Sequence, residues 1–288
     1  KPGKMETNVK IKSKKSTLFH QPISDVNTSI QLKNYDYKID NFFIETPYLQ
    51  AKVSGSGNLN ENNLLYFRLK LRDIEQTIAL LGLNPMQFNG EINGKIAGRA
   101  EKLKLISELH IISYSADSVH IKNAKANLTS NFSIYPDFIQ NSSNLSGKKQ
   151  LFFEPKKVNL KTDMKIGFAA YGRYFMENIG LNFEKNKDNA KGNLFSDIAY
   201  GKLKTQFNIS NLFGEPEYKL TSSLQDINIS KFINTDSLFT NLNLDVKING
   251  RGTDPETLHG EIEIRSVNSY VYGMPLEDFN AGISVDST

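Results

Sequence analysis

Histidine is the side chain best suited to move protons or hold a metal near neutral pH, and the chain has four: His20, His110, His120 and His259. They are scattered. No H-E-x-x-H pair and no G-x-S-x-G nucleophile elbow occurs, and the absence of cysteine removes disulfides and thiolate metal sites together. Glu261 and Glu263 alternate with Ile262 and Ile264, so they share a strand face. Two carboxylates on one face could serve glycoside hydrolysis, but nothing apolar stands beside them to raise the pKa of one. Ser54-Gly55-Ser56-Gly57 has the look of a phosphate loop without the Lys-Ser/Thr and the helix that such a loop needs, which points to a turn or bulge between strands. No catalytic residue, metal site or cofactor is therefore assigned, and the chain is read as a non-enzyme.

The elements that would position any site are strands. Leu242, Leu244, Val246, Ile248 and Gly250 alternate with Asn243, Asp245, Lys247, Asn249 and Arg251, giving one apolar and one polar face. After Thr253-Asp254-Pro255-Glu256, the run Leu258, Gly260, Ile262, Ile264 repeats the pattern against His259, Glu261, Glu263 and Arg265. That is an antiparallel hairpin with one wet face. Leu65 to Arg72, Val158 to Phe168 and Leu203 to Ile209 alternate in the same way, and at 8–12 residues per strand and turn the chain should hold roughly twenty strands. Helical periodicity is confined to two short segments. One opens at Asp73-Ile74 with Ile78 and Leu81, and the other at Asp226-Ile227 with Ile229, Phe232 and Ile233, each with Asp as N-cap.

These segments belong to an internal repeat. Leu71-Arg72-Asp73-Ile74 recurs as Leu224-Gln225-Asp226-Ile227, Ile96-Ala97-Gly98-Arg99 as Ile248-Asn249-Gly250-Arg251, and Leu105…Leu109-His110-Ile111 as Leu258…Ile262-Glu263-Ile264. The repeat units span about 65–125 and 218–285. His110 and His259 fall at matching places on the polar face. The chain, 1–288, reads as one repetitive β segment, with a soft boundary in the Ser/Asn-rich stretch at 140–150.

Composition narrows the partners. Net charge is +4 with both signs interspersed, unlike the dense basic stripe with interleaved aromatics of a nucleic-acid binder, so no nucleic acid is expected. Hydrophobic content of 39% suits one apolar sheet face better than a thick two-sided core. No run approaches the ~20 apolar residues of a membrane span, and no signal-peptide core is present. The start at Lys1 and the strand pattern still running at Val285 read as a segment of a larger exported protein, whose anchor would lie elsewhere.

A long apolar face must meet something. It can close on itself as a sandwich or barrel, or curl into an open trough that holds acyl chains. Twenty strands at ~4.8 Å each would extend roughly 95 Å, a length that suits a conduit.

At this point the sequence resembles the TamB (translocation and assembly module) and AsmA-like family. The residues that carry the likeness are Asp226-Ile227 to Ile233, the strand Leu242 to Arg251, Gly252-Thr253-Asp254-Pro255-Glu256, Leu258 to Ile264, and Tyr272-Gly273-Met274-Pro275-Leu276-Glu277-Asp278-Phe279. The earlier copy, Asp73 to Ile111, is looser. There Gly98-Arg99-Ala100 stands in place of Gly-Arg-Gly and no Asp-Pro-Glu follows.

The resemblance implies an all-β fold: a long curved antiparallel sheet forming an open apolar trough (a β-taco), with one or two short helices. It implies a segment of a periplasmic bridge in a Gram-negative envelope, anchored by its parent in the inner membrane. Such a bridge shields phospholipid acyl chains on the way to the outer membrane and contributes to outer-membrane biogenesis. An Omp85-class outer-membrane partner would be engaged by a region outside this chain. The lining residues it implies are Leu242, Leu244, Val246, Ile248, Leu258, Ile262 and Ile264, with Phe88, Ile92, Ile96, Leu105, Leu109 and Ile111 in the other copy. Glycines 90, 94, 98 and 250 on that face would reduce bulk or allow curvature. Two other readings stand beside it: a structural or adhesive β-repeat with a closed core and no lipid cargo, and, more distantly, a β-solenoid enzyme acting on polysaccharide.

Overall fold

The computed structural model describes residues 6–18, 21–58, 60–72, 86–133, 155–233, 238–252 and 258–285. The expected helix opening at Asp73, the stretch at 140–150, the Thr253-Asp254-Pro255-Glu256 turn and His20 lie outside them. Within the described residues the chain is all-β, with 18 strands, one 3-10 turn (Pro155–Lys157) and one helical turn, α1 (Ser230–Ile233).

Two units divide the chain, residues 1–117 with 122–160 and residues 118–121 with 161–288. The first carries β1 (Glu6–Leu18), β2 (Gln21–Lys33), β3 (Asp36–Glu45), β4 (Leu49–Asn58), β5 (Asn63–Leu71), β6 (Gln87–Arg99), β7 (Lys102–Ala116) and most of β8 (Val119–Phe132). From β1 to β7 each strand pairs antiparallel with the next. This is a meander, the topology that short connections between alternating strands favour.

The second unit carries most of β9 (Asn159–Tyr171), then β10 (Tyr174–Asn186), β11 (Asn189–Ile198), β12 (Gly201–Ser210), β13 (Glu217–Ile227), β14 (Thr240–Arg251), β15 (His259–Ser266), β16 (Ser269–Val271), β17 (Met274–Leu276) and β18 (Phe279–Val285). Strands β10 to β15 form a second antiparallel meander. The short β16–β17 hairpin docks on the start of β14, where Thr240 faces Val271, and β18 returns to pair with β15. Neither meander is closed into a barrel.

Three sequence expectations are corrected by the local geometry. Asp226 is not an N-cap. It sits at φ +57°, its amide donates to Asn243 Oδ1 and its carboxylate accepts from Asn241 Nδ2, both at 3.0 Å. The cap is Asn228, whose Oδ1 accepts from the Ser230 amide at 3.1 Å, satisfying a first-turn donor. Nor do the two repeat copies share a hairpin register. Ile96 faces Leu105, but Ile248 faces Ile262. Leu105 therefore takes the place of Ile262 rather than of Leu258, because the second hairpin has the longer loop. Finally, Ser54-Gly55-Ser56-Gly57 lies inside β4, with Gly55 at φ +140° opposite a register shift in β3 between Ile39 and Phe42. The bulge is on β3 and the Ser-Gly run is plain strand opposite it; at Gly55 only glycine fits, because a Cβ there would strike the Leu64 carbonyl oxygen.

Candidate functional site

The register turns each meander into transverse rows of side chains. In the second unit one row runs Phe183, Gly192, Phe207, Leu220, Ile248, Ile262, Ile283 across seven strands. The next runs Leu181, Leu194, Thr205, Ser222, Val246, Ile264, Ala281, and a third runs Ser196, Leu203, Leu224, Leu244, Ser266, Phe279. In the first unit the corresponding rows are Val9, Ile30, Ile39, Gly55, Leu65, Ile96, Leu105 and Ser13, Val26, Ile44, Ala51, Leu69, Ile92, Leu109.

Exposure alternates with the same period. Along β14 the residues from Asp245 to Arg251 are alternately exposed and half-buried, and Lys247 and Glu263 stand on the exposed side. On the apolar side the large residues are only half-buried: Leu220, Phe207, Ile248, Ile262 and Ile264 all retain accessible surface. Many of the fully covered positions of the same face are small, among them Ala190, Ser196, Thr205, Ser222 and Ser266. Small residues vanish beneath their same-face neighbours, whereas a large side chain is covered only by a second layer. Two of these small hydroxyls, Thr205 and Ser222, satisfy each other at 2.9 Å.

A second layer does exist at one lateral end of the second unit. There Ala199, Ile227 and Leu242 are buried and packed with Ile198, Leu224, Ile229, Leu244 and Val271. Ile229 and Val271 of β16 contribute to that cover. Thr240 ties this end together, its hydroxyl accepting from the Ile229 amide at 2.8 Å and donating to the Ile227 carbonyl at 3.2 Å.

The lining residues named from the sequence divide accordingly. Leu242 belongs to the buried end, while Leu244, Val246, Ile248, Ile262 and Ile264 lie on the half-buried face and Leu258 lies half-buried just before β15. Phe88, Ile92, Ile96, Leu105, Leu109 and Ile111 share one face of β6 and β7 in the first unit, all half-buried. The two sets belong to different units. Leu181, Phe183, Leu194, Phe207, Leu220 and Leu224 were not named as lining residues, although alternation alone would have found them.

Aromatic residues set against glycine are a further feature. Phe67 faces Gly94, Phe207 faces Gly192 and Tyr218 faces Gly250. In each pair the ring occupies the space a Cβ would take, at 2.6–2.7 Å from its ideal position. At Gly192, Phe183 flanks from the other side and stacks on Phe207 at 6.3 Å. The rings cover the bare backbone and keep the strand register.

The polar face is laced by cross-strand ion pairs. Glu91 receives Arg68 at 2.9 Å, Asn93 at 2.7 Å and Lys70 at 3.6 Å, and the hydrogen bond from Arg68 leads in holding its carboxyl down to about 2. Lys247 meets Glu263 at 3.7 Å, so that carboxylate is engaged with a lysine. Among the described residues, no group of three or more His, Asp or Glu side chains could hold a metal ion. No protein-family model, no curated protein and no solved structure matches the chain.

Proposed function

We propose that the chain is a segment of a TamB/AsmA-like lipid-transfer bridge, whose apolar sheet face is a trough for phospholipid acyl chains. The observation that carries this reading is the row from Phe183 to Ile283, half-buried as far as Ile262 and exposed at Ile283. Six inter-strand steps make it about 29 Å long, against about 15 Å for one leaflet of hydrocarbon. An acyl chain laid along the row would supply the missing second layer, gaining ~0.8 kcal/mol per buried methylene. Because that attraction is non-directional, no single side chain is essential and no catalytic group is required.

The resemblance places such a segment in the periplasm, with phospholipid as cargo and an Omp85-class partner engaged elsewhere in the parent protein. The test is native mass spectrometry of the chain purified from a bacterial envelope, with lipid extraction of the same sample. One or more phospholipids per chain is the expected result. A lipid-free chain that folds cooperatively would favour the structural β-repeat with a closed core.

A further inference from the structure

Beside the covered end of the second unit lies a cavity of about 600 Å3 on which none of the preceding argument draws. Its floor includes Ile198 and Ala199, both also part of the apolar cluster, and its walls carry Arg173, Lys202 and Lys231 together with Glu177 and Asp197. Cations and carboxylates thus face one space that touches apolar surface. The register sets Glu177 opposite Asp197, and Asp197 opposite Lys202, on adjacent strands. Asp197 also accepts from Asn178 Nδ2 at 2.6 Å, and a cationic group bound beside Glu177 would face both carboxylates.

The aromatic residues at this cavity are posed to receive a ligand. Arg173 lies over the Tyr174 ring at 5.1 Å and donates to its hydroxyl at 3.0 Å, and Lys231 lies over the Tyr200 ring at 5.5 Å. Tyr200 itself is 80% exposed. It sits in the two-residue turn between β11 and β12, where Ala199 and Tyr200 have φ +49° and +65°. A turn with both central residues in the left-handed region is the place for Asn-Gly, and among the described residues no other adjacent pair lacking Gly, Asn and Asp adopts it. Ala199 is buried in the apolar cluster, but the exposed Tyr200 ring gains little packing for the conformational cost of its position, and strain of this kind gathers at binding sites.

We infer that this cavity binds the zwitterionic headgroup of an amine-bearing phospholipid. The phosphate is held by Arg173, Lys202 and Lys231, the ammonium by Glu177 and Asp197, and the tyrosine rings flank the two, as amphipathic rings do at the headgroup level of a membrane. The inference rests on the lipid reading for the class of its ligand only: Asp197 and Lys202 alternate with Ser196 and Leu203 and so lie on the polar face, and the site does not need the acyl chains of the apolar rows. The headgroup site can therefore be tested without them.

The experiment titrates the full chain with glycerophosphoethanolamine, which has no acyl chains, and follows binding by NMR. Saturable binding with shifts at Tyr174 and Tyr200 is expected, with glycerophosphate and ethanolamine each binding about tenfold more weakly. Arg173→Gln should weaken binding by about tenfold. Tyr200→Gly should weaken binding by about tenfold without lowering the melting temperature, since the ring is exposed and glycine suits φ +65°. Absence of saturable binding, equal binding by a neutral disaccharide, or binding untouched in Tyr200→Gly would overturn the headgroup site. If the soluble headgroup binds but no lipid copurifies, the site stands and the trough falls. If lipid copurifies and the headgroup does not bind, the reverse holds.

Discussion

Two parts of one sheet face in the second unit differ in what covers them. At the lateral end, Ile227 and Leu242 are 3% and 8% exposed, packed with Ile229 and Val271. A few residues along the same strands, Leu220, Ile248 and Ile262 carry equally apolar side chains and stay half-exposed. Residue type is the same in both places, so the difference lies in the second layer. The chain builds cover at one end and leaves the large residues of the middle rows partly accessible.

The largest separation between the two parts should come from charge. Leu242→Asp puts an unpaired carboxylate into a dry cluster and should cost more than about 3 kcal/mol, enough to unfold the unit. Ile248→Glu, on the open rows, should cost about 1 kcal/mol in lipid-free protein and abolish lipid occupancy. Thermal melts followed by circular dichroism, with native mass spectrometry of the same samples, read both. Equal destabilisation by the two would break the comparison.

Truncation is the gentler form. Leu242→Ala should cost 2–5 kcal/mol as a cavity in packed surroundings, and Ile248→Ala about 1 kcal/mol, measured by chemical denaturation without lipid. Glycines sharpen the picture within the open rows. Gly192→Ala drives a methyl against the Asn182 carbonyl oxygen and the Phe207 ring and should cost about 1–3 kcal/mol. Gly282→Ala, on the edge strand with nothing near its Cβ, should change stability by less than about 0.5 kcal/mol.

The smallest effect belongs to the polar face of the first unit. Glu91 has its folded pKa depressed to about 2, so its stabilising contribution is full above the unfolded value of about 4.3 and is lost as pH falls toward 2. Glu91→Gln should flatten that part of the pH–stability curve and leave the neutral-to-alkaline part parallel to that of the parent.

Much of this was legible in the sequence, because strand alternation is a local property. The runs Leu242 to Arg251 and Leu258 to Arg265 announce both faces, and the structure pairs them as a hairpin. What was not legible depends on partners distant in sequence. The hairpin register in the two copies depends on loop length, so the match of Leu105 with Leu258 misled. The bonds of Thr240 to Ile227 and Ile229 join residues more than ten positions apart. The rings over Gly94, Gly192 and Gly250 become visible only once neighbouring strands are aligned. The Ala199-Tyr200 turn was hidden for another reason: neither residue is a turn former, and composition favours reading through it.

The central claim, that the partly accessible middle rows are covered by lipid, is tested most directly by photocrosslinking in the envelope. A benzophenone side chain placed at Ile248, and in a separate variant at the adjacent polar-face position Lys247, is illuminated and the protein mass measured. The account predicts phospholipid adducts at 248 and none at 247. Adducts at neither position, or equally at both, would contradict it.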